Sequence, residues 1–221
     1  MVLRPLVVVF DVNETLFSLD ALRERMEAAG ARPDLLETWF GQVLSRGFAL
    51  AAAGSFAPFR DLARTTLGRL LDDDAAAADV LDAFERLEPH PDARPALERL
   101  AAARVPAVTL TNGHAETTRR LLDRAGLRHL VSRCFDVGEV GRWKPAALPY
   151  QHCARECGVA PERMAMVAVH SWDIHGARRA GLLTGYASRL EGQPVPLLDP
   201  AHVTGVDLVE VVDGLLALPS G

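Results

Sequence analysis

The chain has 221 residues, 49% of them hydrophobic, and a formal charge of −5 from 24 Lys and Arg against 29 Asp and Glu. That is enough apolar material for one large domain or a core with an insertion, and the absence of a Lys/Arg-rich run excludes nucleic acid and anionic membrane as predicted partners. No apolar stretch approaches the roughly 18 residues of a spanning helix, and residues 1–10 lack a signal-peptide layout, so a cytoplasmic protein is expected.

The first predicted strand is 6–10, an apolar, mostly β-branched run (Val7, Val8, Val9, Phe10) that ends on Asp11. The next ninety or so residues contain no convincing strand. Apolar residues at helical spacing predict four helices there: Leu19 to about Gly30, Leu35 to Leu50 with Trp39, Phe40, Val43 and Leu44 on one face, Leu62 to Leu71, and Ala75 to Leu87. The Ala/Asp-rich stretch 72–79 reads as a solvated loop entering the last of these, and Pro89 and Pro91 close the block. A connection of this length is no loop, so an all-helical insertion of roughly 75 residues is predicted over the sheet end where Asp11 emerges.

Strands at 105–110, 133–137, 164–169 and 182–187 follow. Helical patterns lie between most of them, at Thr117 to Ala125, Leu148 to Cys157, and Ile174 to Ala180 with Gly181 as the predicted cap. Strands alternating with helices predict an α/β protein with a parallel sheet covered on both faces. The predicted domains are a core of 1–15 and 92–221 and a helical cap of 16–91. Cys134, Cys153 and Cys157 form no disulfide framework, and the last two read as small residues on a helix face rather than a metal pair.

Chemistry-bearing residues fall at four strand ends. Asp11 begins Asp11-Val12-Asn13-Glu14-Thr15, and a carboxylate at that position can act as a nucleophile. Two residues on stands Asn13, whose amide cannot serve as a general acid or base. Leu110-Thr111-Asn112-Gly113 offers a hydroxyl and exposed backbone N–H groups for an anionic oxygen. Lys144, in Gly141-Arg142-Trp143-Lys144-Pro145, neutralises charge beside Asp11 and keeps it ionised. His170-Ser171-Trp172-Asp173 supplies Asp173 to orient Lys144 or a water, and His170 as a candidate water-positioning base.

These four motifs, in this order and with a helical insertion after the first, resemble the haloacid dehalogenase superfamily over nearly the whole chain. Within it the chain looks most like the type II L-2-haloacid dehalogenase group. Trp172-Asp173 is similar to the end of that group's Ser-x-Asn-x-Trp-Asp signature, Lys144-Pro145 with Tyr150 to its Lys-Pro-x-x-x-x-Tyr segment, and Thr111-Asn112-Gly113 to its Ser-Asn-Gly.

The resemblance implies a doubly wound Rossmann-like core with an inserted helical cap. It implies metal-independent hydrolysis of a small 2-haloacid through an aspartyl ester on Asp11, with Thr15 supporting the nucleophile loop, and a possible homodimer. Val12, Asn13, Thr111, Asn112, Gly113 and Tyr150 are the expected substrate-binding residues, and Phe17, Trp39 and Phe40 the candidates for an apolar wall. The group's cap-helix arginine falls on Gly41, and its fourth-motif serine and asparagine fall on Ala168 and His170. Arg46 and Arg60 read as surface residues. Two other activities remain open: a magnesium-dependent phosphatase, with the ion at Asp11 and Asp173, and hydrolysis of another small electrophile.

Overall fold

Four apolar residues, three of them valine, make β1 (Val7–Phe10), and all four are buried. In the computed structural model, which describes residues 2–220, β1 lies inside a six-stranded parallel sheet. The other strands are β2 (Ala107–Thr111), β3 (Val131–Asp136), β4 (Met164–Ala168), β5 (Leu183–Ala187) and β6 (Val203–Gly205). Their spatial order is β3-β2-β1-β4-β5-β6. Val8 aligns with Ala107 on one side and with Ala165 on the other. Strand order therefore reverses between β1 and β4, and a crevice opens there at the carboxyl ends, the place where open α/β sheets bind ligands.

Both faces of the sheet are covered, and the period-2 alternation of a strand decides which residue goes where. Val8, Phe10, Ala165 and Val167 face a core shared with α5 (Ala93–Ala102), α6 (Ala115–Arg124) and α9 (Leu208–Leu216). Val7, Val9, Met164 and Met166 face α7 (Ala147–Glu156) and α8 (Ser171–Arg179).

Five strands were expected and six are present. The sixth has only three residues, two of them not fully buried. A run that short carries no pattern of its own, and pairing with β5 (Gly185 opposite Val203) defines it. The helix α9 was also not foreseen, although Leu208, Val211, Val212 and Leu215 recur at helical spacing after the N-cap Asp207, whose side chain accepts from the Glu210 N–H.

Between β1 and α5 lie α1 (Asp20–Ala28), α2 (Leu35–Ala52), α3 (Phe59–Leu71) and α4 (Asp74–Leu81), the last running into a short 3-10 turn, Asp82–Arg86. Most of 72–79 is thus helix rather than loop. Asp72 ends α3 in the left-handed region, and the Asp73 carboxylate caps α4 by accepting from the Ala75 and Ala76 N–H groups.

Inserted helices and core are joined at named contacts. Gly47 of α2 meets the Trp143 ring so closely that an added Cβ would lie 2.3 Å from it. The Trp143 indole N–H donates to the Ala57 carbonyl (2.8 Å), and Arg142 donates to the Ala51 carbonyl (2.6 Å). At the base of the insertion, Arg189 donates to the Glu14 and Thr15 carbonyls and to Asp92, gripping both connecting segments from the loop after β5. No described helix is long and apolar enough to cross a membrane.

Candidate active site

Asp11 and Asn112 directly follow β1 and β2, and His170 comes two residues after β4, so parallel pairing alone gathers them at one end of the sheet. Lys144 arrives from the loop before α7. Its backbone is held by Asn112, whose side-chain oxygen accepts from the Lys144 N–H (2.9 Å) and whose amide donates to the Lys144 carbonyl (3.3 Å). The loop also needs α8 close by. A Cβ on Gly176 would sit 2.6 Å from the Pro145 carbonyl oxygen, so glycine is what allows α8 to approach Pro145 and bring Asp173 to the lysine.

The Lys144 ammonium is fully buried and uses all three of its protons. It donates to Asp11 Oδ1 (2.9 Å), to Asp173 Oδ2 (2.5 Å) and to the Leu110 carbonyl (2.9 Å). The other oxygen of Asp11 accepts from Thr15 Oγ1 (2.9 Å) and lies 3.3 Å from His170 Nδ1. Thr15 is fixed in turn by the Val169 N–H (3.3 Å). The remaining oxygen of Asp173 accepts from the Tyr150 hydroxyl (2.5 Å).

Burial alone would raise the Asp11 carboxyl, but the charge of Lys144 and the hydrogen bond from His170 outweigh it and hold Asp11 below the usual carboxylate range. Asp173 is pushed up by burial, which Lys144 only partly offsets. Burial works to lower Lys144, but the two carboxylates override it and raise the ammonium above its ordinary value. Asp11 is thus the ionised, oriented carboxylate of the site. The cation stands between it and Asp173, the two carboxylates a magnesium ion would have to share. Among the described residues no group of three or more His, Cys, Asp or Glu is placed to hold a metal.

The wall opposite comes from the insertion. Phe40 of α2 tilts against the His170 ring at 5.9 Å, and His170 stacks on Trp172 at 5.4 Å. Gly41 is exposed, and a side chain there would enter open space, so Phe40 rather than Gly41 is the residue of this turn that reaches the site. Next to the turns after β1 and β2 a cavity of about 540 Å³ lies between α3, the 3-10 turn and the amino end of α6. Val12, Asn13, Thr111, Asn112 and Gly113 form its inner side.

Three expected substrate contacts sit elsewhere. Trp39 is fully buried inside the inserted helices, with its indole N–H donating to the Ala63 carbonyl (2.9 Å). Phe17 is fully buried at the base of the insertion, where it bridges Asn13 and Pro89. Tyr150 is fully buried behind Asp173, and its hydroxyl meets the carboxylate (2.5 Å) and backbone carbonyl (3.3 Å) of that residue. Thr111 uses its hydroxyl to accept from the Gly113 N–H (2.9 Å), shaping the turn. Asn112 retains one free amide proton beyond its two bonds to Lys144.

Some of what builds the site was not predicted. Arg60 is exposed, as expected, and the unforeseen feature is the cavity whose rim it shares with Glu85 and Arg120. Asp136, at the end of β3, accepts from the Ala115 N–H at the start of α6 (2.8 Å); the rule that picked out Asp11 and His170, a polar residue at a strand's carboxyl end, would have found it. The third acceptor for Lys144 is a backbone carbonyl and leaves no trace in the sequence.

Residues 6–181 match the family model of the haloacid dehalogenase-like hydrolases. The chain is 28% identical over 191 residues to an (S)-2-haloacid dehalogenase of Xanthobacter autotrophicus, covering 83% of this chain and 75% of that protein. It is 25% identical to (S)-2-haloacid dehalogenase H-109 of Pseudomonas putida, covering 95% and 97%. In fold it is similar to the L-2-haloacid dehalogenase from Xanthobacter autotrophicus with chloropropionic acid covalently bound, with a TM-score of 0.87 at 21% identity over 96% of this chain and 99% of that one. The protein belongs to the haloacid dehalogenase-like hydrolases.

Proposed function

We propose that the protein is a metal-independent 2-haloacid dehalogenase in which Asp11 is the nucleophile. One observation carries the reading: a buried carboxylate at the switch point of the sheet, kept ionised by an ammonium 2.9 Å away and fixed on its other oxygen by Thr15. An Asp11 oxygen attacks C2 of the acid in line with the carbon–halogen bond. A C–O ester bond forms, the C–X bond breaks, and halide departs with the electron pair. Water then attacks the ester carbonyl carbon on Asp11. One of its protons passes to His170, the bond from the ester carbonyl carbon to the substrate oxygen breaks, the departing alkoxide takes the other proton, and the products are the 2-hydroxy acid, halide, one proton and free Asp11.

Each partner has a distinct part. Lys144 prevents Asp11 from holding a proton and balances the charge of its carboxylate. Asp173 and Tyr150 position Lys144. The turn N–H groups around Val12, Asn13 and Asn112 receive the substrate carboxylate. The helical segment 16–91 acts as a cap on the core formed by 1–15 and 92–221, closing over the reacting carbon and excluding bulk water during displacement.

The test is halide release from L- and D-2-chloro- and 2-bromopropanoate with EDTA present, followed by one turnover in ¹⁸O water. Release abolished by Asp11→Asn, with the label appearing first in the Asp11 carboxyl, is the expected outcome. Magnesium-dependent, EDTA-sensitive hydrolysis of an aryl phosphate without halide release would overturn the proposal in favour of phosphoryl transfer.

A further inference from the structure

The cavity beside the site is far larger than a three-carbon acid requires. Its volume, about 540 Å³, falls within the range of roughly 300–1,000 Å³ typical of sites for drug-sized ligands. A 2-halopropanoate occupies roughly 100 Å³ on the scale where a liquid water takes about 30 Å³, so most of the space would stay empty. The inner side is the turn of Val12 and Asn13 and the 111–113 loop, where the acid end of the substrate belongs. Away from it the walls become aromatic. Phe59 and Phe84 meet edge to face at 5.7 Å, and Phe56 lies beside them. Facing them on α6 is Thr117, half-buried. Over the rim, Arg120 grips Glu85 through two hydrogen bonds of 2.7 Å, linking α6 to the 3-10 turn of the insertion.

We infer that this cavity receives an apolar side arm of aryl size carried on C2 or C3 of the substrate, and that the preferred substrates are 2-haloacids of the 3-arylpropanoate kind rather than two- or three-carbon acids. The inference rests on the proposed dehalogenation and adds its substrate class. The geometry supports it in three ways. The cavity is continuous with the turns assigned to the carboxylate. Its far walls are rings, which pack on a planar apolar group edge to face or offset. Of its charged groups, Arg60, Asp82, Glu85, Glu116 and Arg120 are exposed at the rim, where Arg120 pairs with Glu85, and the half-buried Asp136 is taken up by the Ala115 and Gly138 N–H groups. Asp11 itself is only 5% exposed and does not line the cavity, which meets the site at Val12 and Asn13, the two residues after it, so an arm seated among the rings leaves C2 at the turn that follows Asp11.

The experiment compares kcat/KM for 2-bromopropanoate, 2-bromohexanoate and 2-bromo-3-phenylpropanoate in the wild type and in Thr117→Phe, which fills the cavity from a half-buried helix position. A rise of tenfold or more from the first substrate to the last in the wild type is expected, with that ratio falling at least tenfold in the variant. A wild-type kcat/KM that falls with arm size overturns the inference while leaving dehalogenation intact. If no substrate releases halide, the dehalogenase reading fails, and calorimetric binding of propanoate and 3-phenylpropanoate decides the cavity separately. Tighter binding of the phenyl acid by tenfold or more, weakened in Thr117→Phe, supports an aryl site, and equal affinities overturn it. Leu81→Ala, which enlarges the same cavity, guards against a misfolded Thr117→Phe. It should raise the turnover ratio towards bulkier arms, and an unchanged ratio counts against the inference.

Discussion

On the sheet side of the site, Asp11, Lys144, Asp173 and Tyr150 are all buried and joined by hydrogen bonds of 2.5–2.9 Å. On the insertion side, Phe40, Phe56 and Phe84 are half-buried and meet their neighbours through ring and apolar contacts. The two sides tolerate change differently. A network of charges in a dry interior works only when every member is present, because any group left without its partner keeps the full cost of its desolvation. An apolar wall can be recut one side chain at a time, at a cost set by volume. The proposed function therefore assigns reaction type to the sheet ends and substrate choice to the inserted helices, and each substitution below probes that division.

The largest effect belongs to the proposed nucleophile. Asp11→Asn keeps the shape of the floor and removes the attacking charge, so halide release should fall about 10⁴-fold or more, the scale seen when a nucleophile is deleted. A loss below about tenfold would place the chemistry elsewhere. Next comes Lys144→Met, which matches the length of the stem but leaves two buried carboxylates facing each other. Stability from urea unfolding should fall by about 3–5 kcal/mol. Phe40→Leu on the opposite wall should cost less than about 1.5 kcal/mol. Equal losses at the two positions would erase the distinction between floor and wall.

The joint between the two sides gives a third, smaller effect. Gly47→Ala would place a methyl 2.3 Å from the Trp143 ring, between the insertion and the loop that delivers Lys144. Overpacking of this kind costs about 1–3 kcal/mol. Because Trp143 adjoins Lys144, the strain should appear in kcat as well as in the urea midpoint. A variant with wild-type midpoint and kcat would show that α2 slides freely over residue 143.

The floor was the more legible side in the sequence, for a physical reason. Asp11, Asn112 and His170 stand where apolar strands stop, and a strand end is visible as a change in pattern. Lys144 and Asp173 could be assigned from their motifs, but not their shared geometry, which depends on Gly176 letting α8 approach Pro145. The wall was read less well, because an aromatic residue on an amphipathic helix looks the same whether it lines a pocket or fills a core. Trp39 and Phe40 are adjacent in sequence, yet one is sealed inside the inserted helices and the other touches His170. Only the packing of α2 on α3 and the core separates them. The same limit hid β6, whose three residues are defined by their pairing with β5.

The last effect, a pH dependence, concerns Tyr150, which stands behind the floor and senses its charge. Burial and the adjacent Asp173 carboxylate push its phenol well above the ordinary 10.0. Lys144 is also raised above its ordinary 10.5. Both groups hold their protons more tightly in the folded state, so the stability they contribute is complete below these values and declines as pH rises past them. The acid side is less clean: Asp11, held low, stabilises above 3.8 and loses that contribution as pH falls, whereas Asp173, held high, acts in the opposite sense. The alkaline limb is therefore the one to measure. Tyr150→Phe removes a hydrogen bond to a buried carboxylate and should cost about 1–3 kcal/mol at pH 7. It also removes the titrating phenol, so the gap to wild type should close by about 1.4 kcal/mol per pH unit above pH 10. A gap that stays constant from pH 9 to 11 would mean that the phenol ionises alike in both states, and that the floor is open to water from the α7 side.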